Sequence, residues 1–458
     1  MTNATSYDIY ASSAEDLSRV RERLFARTMD RVFAAHPYYR QVFKEAGISR
    51  EDIGSLDDLK KLPITTKTDF MAAPQKFCMG PEGALDDDET IVWQVMYTTG
   101  SSGAPSPFVM TSYDYVNTLA QKRNMLRIRG VTEKDSLLSL FPLTKYPHGA
   151  FLGGVNTSPA FNIPVTIALP GHENERRPEI GSRLDDIVRT AGRTKATIIQ
   201  GVPTYIRKVI ARAQELQISL AETRQIWVTG EGLGDEARAD LIARLKLLGA
   251  CDPEINVAYG LSEIQGGLVE CAHGFGYHNP SPDQFLFECV DAESKTPVEA
   301  GQEGLILLSH LDRRGTVLLR YAVGDVARIS RERCPNCGML TERIVSMPHR
   351  FDGLVKIKGM LVNPQLLVDA MMGEPDIVEF QAFVDKEDPA DGLSMDRLLI
   401  KLVPKADADS NVDKRVLDRV RRAISVTPLI EITTSDDPAL KNRGWKTKPL
   451  IDLRAPAK

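Results

Sequence analysis

Apolar positions near the start of the chain fall into a helical rhythm. Leu17, Val20, Leu24, Met29, Val32 and Phe33 recur at spacings that put them on roughly one face. Ser12 and Ser13 stand just ahead, with Glu15 and Asp16 three residues on as capping-box partners. A helix is therefore predicted to open there and to end at Pro37. The segment LPITTKTDF, Leu62 to Phe70, reads as a loop entering a helix with a Thr or Asp cap. From about residue 90 to 330, short apolar runs alternate with helical patterns: TIVWQVMYTT, DSLLSLFP, VTIALP, ATIIQGVP, QIWVTG, INVAYG and GLILLSHL. Most are bounded by Gly or Pro. Buried strands alternating with helices predict an α/β fold with largely parallel sheets. FLFECVD, GLILLSHL and TVLLRYA in succession read instead as antiparallel β. After RFDGLVKIKG the pattern becomes strand (IVEFQAFVD), strand (LLIKLVP), helix (VDKRVLDRVRRAIS), strand (PLIEIT). The predicted division is a large lobe of several subdomains over 1–350 and a small α+β domain over 351–458.

Composition narrows the function. Lys plus Arg is 57 against 62 Asp plus Glu, a net charge of −5, so there is no polybasic footprint for nucleic acid or an anionic membrane. Any phosphate site must be local. The apolar stretches break well short of the ~20 residues that cross a bilayer. The N-terminus carries acids and no apolar h-region, which reads as a cytoplasmic protein rather than a secreted one. Its six cysteines, Cys78, Cys251, Cys271, Cys289, Cys334 and Cys337, are then free thiols or metal ligands.

Four segments carry candidate chemistry. The first is TTGSSGAPSP, where a strand runs into a loop dense in Gly, Ser and Thr. Such a loop can turn backbone N–H groups and hydroxyls towards phosphate oxygens, or be a flexible turn. It is not a Walker A loop, because Gly103 is followed by Ala104 and Pro105. The second, TGEGLG (Thr229–Gly234), is a second strand-to-loop with three glycines, and read alone is a tight turn. The third, Ala258 to Glu263, offers an aromatic, a hydroxyl and a carboxylate at a strand end, able to stack a base and hold Mg²⁺. Its alternative is a strand ending in a helix cap at Ser262. The fourth, RYAVGD, ends in Asp325, which can take two vicinal ribose hydroxyls or be a β-turn residue.

The order and spacing of these segments resemble the adenylate-forming superfamily of acyl-CoA ligases over most of the chain, most closely its phenylacetate–CoA ligase branch. LPITTKTDF, TIIQGVPTYI, RFDGLVKIKG and NRGWKTKPLIDLR resemble further segments of that branch, with Gly353 in place of a hinge Asp. The resemblance implies that Thr98, Thr99, Gly100, Ser101, Ser102 and Gly103 clamp the phosphates of ATP. Gly230, Glu231 and Gly232 line the adenine pocket, and Tyr259, followed by Gly260, stacks on the base. Ser262 and Glu263 hold phosphate and Mg²⁺, and Asp325 binds the ribose with Arg350 nearby. Asp352 is the hinge about which a mobile C-terminal domain rotates. Lys446 bridges the acid carboxylate and the α-phosphate, with Lys448 the competing candidate. Relatives carry Lys where Ala104 stands, so some phosphate neutralisation is missing or comes from elsewhere.

Two more groups complete the reading. Cys271, His278 and the CPNC knuckle of Cys334 and Cys337 suit tetrahedral Zn²⁺ with no open position, or are simply free thiols. His273 competes with His278, which is preferred because YHNPSPDQFLFE resembles a run in the relatives. FPLTKYPHGAF stands where the superfamily gates its acid pocket. His148 is the candidate gate, with Tyr146 and Phe151 beside it. The alternative is a helix-start histidine satisfied by the backbone. VAYGLSEIQGG and GVPTYI are expected to supply further pocket wall. The implied activity is adenylation of an aryl or arylacetic acid by ATP, then acyl transfer to CoA, in a monomer or homodimer. The alternatives are a non-CoA acceptor, such as an amine or carrier thiol, or an inactive nucleotide-binding homologue.

Overall fold

In a computed structural model of the chain, residues 8–10, 12–79, 92–98, 105–144, 148–171, 181–351, 353, 355–358, 360–388, 394–441 and 450–454 are described. The first helix, Ala14–Ala35, opens as its sequence predicts. The Ser13 hydroxyl accepts from the Asp16 N–H, and the Asp16 carboxylate accepts from the Ser13 N–H in return. It stops at His36, and Pro37 starts a second helix, Pro37–Glu45. The same reciprocal cap recurs at Thr66 and Asp69 ahead of the helix Lys67–Ala72.

The chain forms two compact units. One comprises residues 1–134, 144–164 and 256–351, the other 135–143, 165–255 and 352–458. The first holds a sheet in which Phe285–Val290, Glu303–His310, Tyr321–Ser330, Arg343–Ile344, Tyr277–His278, Gly266–Glu270 and Glu254–Leu261 follow one another, each pair antiparallel. His349–Arg350 pairs with the third of these strands. The core beneath is aromatic: Phe70 is fully buried and stacks on Phe108, with ring centroids 5.0 Å apart. A buried side chain of this size contributes roughly 1.5–3 kcal/mol over its exposed state. The LPITTKTDF segment is thereby anchored through Phe70.

The second unit has the parallel strands. Gln225–Thr229, Ile198–Gly201, Leu137–Ser139 and Val165–Ile167 lie in that order, with helices Leu184–Thr194 and Pro203–Glu215 between them in sequence and Asp235–Leu247 after the last. Its C-terminal part is a four-stranded sheet ordered Leu429–Ile432, Asp396–Pro404, Ile377–Lys386, Leu450–Asp452, with helix Val412–Ile424. Arg207 and Arg244 donate to the carbonyls of Glu374 and Pro375, joining that part to the rest of the same unit. The expected α/β class is thus the observed one.

Two expected strands differ in detail. Val92–Tyr97 pairs antiparallel with Pro107–Thr111 as a two-stranded sheet, because the chain returns too soon for a parallel crossover. TVLLRYA becomes strand only from Tyr321. Val317 and Leu319 are buried, but their N–H groups go to the Phe77 carbonyl and the Tyr39 hydroxyl instead of a ladder. Among the described residues no helix is long and apolar enough to cross a membrane.

Candidate active site

The strand Glu254–Leu261 delivers Tyr259 and then a single 3-10 turn, Ser262–Ile264, closed by Gln265 in the left-handed region at φ 47°. Tyr259 donates its hydroxyl to Asp325 Oδ2 at 2.5 Å. Asp325 lies on the strand Tyr321–Ser330, paired in register with Arg350, whose Nε stands 3.9 Å from Asp325 Oδ1. Gly324 makes this arrangement feasible. Its φ is +85°, and a Cβ there would come within 2.8 Å of the Arg350 guanidinium. Burial first, then the Asp325 charge, pushes the Tyr259 phenol well above its ordinary range, so it stays a donor to that carboxylate.

Glu263 is half-buried on the turn. Burial, with Asp325 adding repulsion, pushes its carboxyl up to about 6, although Lys67 and Arg350 oppose the rise. This is a carboxylate short of positive charge, in surroundings that would favour a cation. The turn is held from inside the protein: Arg313 donates to the Ile264 carbonyl at 3.1 Å, and buried His310 faces the Glu263 main chain. Neither residue belongs to a motif. Only their burial and their partners identify them. Lys67 sits inside LPITTKTDF, but nothing in its spacing says that it acts on Glu263.

Thr98 closes the neck of the Gly/Ser/Thr segment. Its N–H donates to the Ser106 carbonyl, and its Oγ1 accepts from the Ser106 N–H at 2.9 Å. Thr99, Gly100, Ser101, Ser102 and Gly103 lie outside the described residues, as do Tyr146, Asp352, Lys446 and Lys448. His148 is buried and caps helix Gly149–Val155, its Nδ1 accepting from the Phe151 N–H at 3.4 Å. The backbone-satisfied reading therefore accounts for Nδ1, which leaves the proton on Nε2. Gly260 is exposed on its strand and pairs with Gly267.

Gly230, Glu231 and Gly232 belong to the other unit. The Glu231 carboxylate accepts from both the Thr204 N–H and its hydroxyl, so it caps the start of helix Pro203–Glu215. The Gly232 and Gly234 N–H groups donate to Gln365 and Asp369 of helix Pro364–Met372.

The cysteine cluster is well formed. One ligand atom each from Cys271, His278, Cys334 and Cys337 lies within 4.8 Å of the others. His273 is not part of it. A tetrahedral zinc with Zn–S of about 2.3 Å and Zn–N of about 2.0–2.1 Å requires ligand edges of about 3.8 Å (S–S) and about 3.6 Å (S–N). Cys271 Sγ and Cys334 Sγ are 3.8 Å apart, and Cys337 Sγ and His278 Nε2 are 3.6 Å apart. Hydrogen bonding from Cys337, with His278 and Asn336 helping, holds the Cys271 thiol far below the thiol range, while the same hydrogen bond, and then burial, push Cys337 up. A cation would let all three thiols ionise together. Ile9, Met125, Ile128, Val269 and Met339 pack around the cluster, so it gathers the N-terminal segment as well.

Comparison with known proteins follows the same lines. A family model described as AMP-binding enzyme matches residues 52–311. The chain is 24% identical over 460 residues to the phenylacetate-coenzyme A ligase of Thermus thermophilus, covering 96% of this chain and 97% of that one. It is 25% identical over 390 residues to the phenylacetate-coenzyme A ligase of Escherichia coli, covering 83% and 80%. A solved structure of 2-hydroxyisobutyryl-CoA ligase in a postadenylation state shares the fold, with TM-score 0.78 at 17% identity over 99% of this chain and 94% of that one.

Proposed function

The chain belongs to the AMP-binding enzyme family, and from that premise we propose that it is an ATP-dependent, AMP-forming ligase joining an aryl or arylacetic acid to CoA. In the first half-reaction a carboxylate oxygen of the acid attacks the α-phosphorus of ATP. The acyl-adenylate forms as the bond to pyrophosphate breaks. In the second, the CoA thiolate attacks the acyl carbon and AMP leaves. Tyr259 stacks on the adenine, and Gly230, Glu231 and Gly232 are assigned to adenine binding. Asp325 takes the ribose hydroxyls with Arg350 beside it, and Thr98 to Gly103 clamp the phosphates. Glu263, with Ser262, would hold Mg²⁺, which when bound neutralises phosphate charge. Lys446 places its ammonium where charge develops between carboxylate and α-phosphate. His148 edges the acid pocket, and residues 351–458 rotate about Asp352 between the half-reactions. The composition supports a cytoplasmic enzyme.

The observation that carries this reading is the joint geometry of Tyr259, Glu263 and Asp325. A phenol is locked to one carboxylate by a 2.5 Å hydrogen bond, and a second carboxylate, pushed up to about 6, stands on the same strand end. Cys271, His278, Cys334 and Cys337 would hold Zn²⁺, which when bound cross-links the fold and leaves no position for substrate. Acid-dependent ATP–pyrophosphate exchange over a panel of aryl and arylacetic acids tests the proposal. Exchange should appear with at least one acid and vanish in Lys446→Ala. Retained exchange in Lys446→Ala with loss in Lys448→Ala would move the lysine assignment by two residues. ATP binding without exchange for any acid would refute catalysis and favour an inactive homologue.

A further inference from the structure

Helix Ser112–Ile128 buries an unusual face. Of its eight buried residues, Asp114, Asn117, Thr118, Gln121 and Lys122 are polar, where an ordinary packed helix would show an apolar stripe. Two of the five are satisfied by the fold. Asp114 accepts from the N–H groups of Thr111, Arg314 and Gly315, and Thr118 donates to the Asp114 carbonyl. Asn117 and Gln121 are different. They stand one turn apart on a single face, each only 1% exposed. Gln121 Nε2 and Asn117 Oδ1 have no hydrogen-bond partner. The Asn117 amide donates to the Tyr113 hydroxyl oxygen, whose own proton goes to Asp312.

A third carboxamide belongs to the residue just before strand Gly266–Glu270. Gln265, 6% exposed, closes the turn that carries Glu263, and its Oε1 also has no partner. The next residue, Gly266, has no Cβ, and one built there would stand 2.7 Å from Gln121 Nε2. The Gln121 amide therefore reaches the backbone immediately after Gln265. Helix Gly149–Val155, which His148 caps, packs on the same strand, Gly266–Glu270, as helix Ser112–Ile128 does. Gln121 and Gln265 thus flank the start of the strand on which the His148-capped helix also packs.

Buried donors and acceptors in native proteins are paired, and leaving them dry is costly. Here a donor of Gln121 and an acceptor of Gln265 are both left over about the start of strand Gly266–Glu270. We infer that Gln121 and Gln265, backed by Asn117, form a polar subsite of the acid pocket, selecting a substrate that carries a hydroxyl or amino substituent besides its carboxylate. The inference deepens the adenylating reading of the site and rests on it. A hydroxyl both donates and accepts, so it answers either orientation of the carboxamides. An unsubstituted ring in the same place would cover these groups without pairing them, the situation in which a site rejects an analogue strongly.

The test is pyrophosphate exchange by the full chain with matched acids: phenylacetate against its 2-, 3- and 4-hydroxy and amino derivatives, and benzoate against the same set. At least one substituted acid should exceed its unsubstituted parent tenfold or more in kcat/KM, mainly through KM. Gln121→Leu and, separately, Gln265→Leu should bring that ratio towards one. The wild-type ratio stands even where a variant fails to fold. Equal or better use of every unsubstituted parent would overturn the inference and leave the carboxamides as water sites, with the adenylating reading intact. Absence of exchange with every acid would overturn both.

Discussion

One short strand, Gly266–Glu270, carries a different kind of site at each end. Before it stands the Glu263 turn. After it comes Cys271, the first member of the cysteine–histidine cluster. At the cluster end four ligand atoms lie within 4.8 Å of one another, two of their edges at tetrahedral length, and every position around a zinc would be filled. At the turn end a single half-buried carboxylate is raised by burial and by Asp325, with Lys67 and Arg350 opposing the rise. A closed donor set can stabilise but has nowhere to receive a substrate. An open, under-compensated carboxylate costs stability and is free to bind. On the proposed reading the difference separates a staple from a reactive centre eight residues away, and substitutions at the two ends should have opposite signatures.

The largest effect should come from Glu263→Gln. It removes the charge that faces phosphate and metal while keeping the shape, and the first half-reaction should fall by roughly 10²–10³-fold, the size seen when one transition-state electrostatic partner is lost. The melting temperature should hold or rise, because a carboxyl raised by burial is a strained group. A fall in both together would make the turn structural. Cys334→Ser should do the reverse. Metal content should drop from one zinc per chain, and the melting temperature should fall by roughly 5–10 °C. Turnover per folded molecule should change little. Full stability in zinc-free protein would reduce the cluster to packed thiols.

A smaller effect is expected from Asp325→Asn, which keeps the contact with Tyr259 but loses the charge opposite the ribose. The KM for ATP should rise about tenfold, the worth of one charge-assisted hydrogen bond, with kcat nearly unchanged. Loss of kcat alone would contradict a ribose role. The smallest effect concerns His310, beneath the turn. Burial, reinforced by the charge of Arg313, pushes its pKa down to about 3, so it is neutral in the folded chain, whereas the unfolded side chain titrates near 6.5. The unfolded state then binds the extra proton first. The stability is fully present above pH 6.5 and drains away as the pH falls towards 3. Between pH 6.5 and 5.5 the loss from this group is about 1 kcal/mol. Chemical denaturation at the two pH values should show His310→Gln losing about that much less than the wild type.

Much of this was legible in the sequence, and the pattern of what was not is physical. Ser13 and Asp16 announce their helix because a cap is a local bond between nearby residues. Cys271, His278, Cys334 and Cys337 could be grouped before any fold was known because thiols and imidazoles are rare and their chemistry narrow. Long-range pairings left no such mark. Nothing near Tyr259 says that its hydroxyl will meet Asp325, 66 positions away. Val317 and Leu319 read as strand because burial looks alike in a ladder and in a packed loop. Asn117 and Gln121 carry no mark in the sequence, and only their depth in the fold shows that polar atoms are left over there. Arg313 was unreadable for the same reason, since its part is to hold a main-chain carbonyl.

The central claim is a two-step ligation through an adenylate, and its products test it most directly. Purified protein with ATP, Mg²⁺, CoA and an acid found by exchange should yield AMP, pyrophosphate and acyl-CoA in equal amounts, measured in one reaction by chromatography with mass detection. Omitting CoA should leave at most one equivalent of acyl-adenylate on the enzyme. Formation of ADP and phosphate would contradict the account, as would sustained AMP release without any thioester.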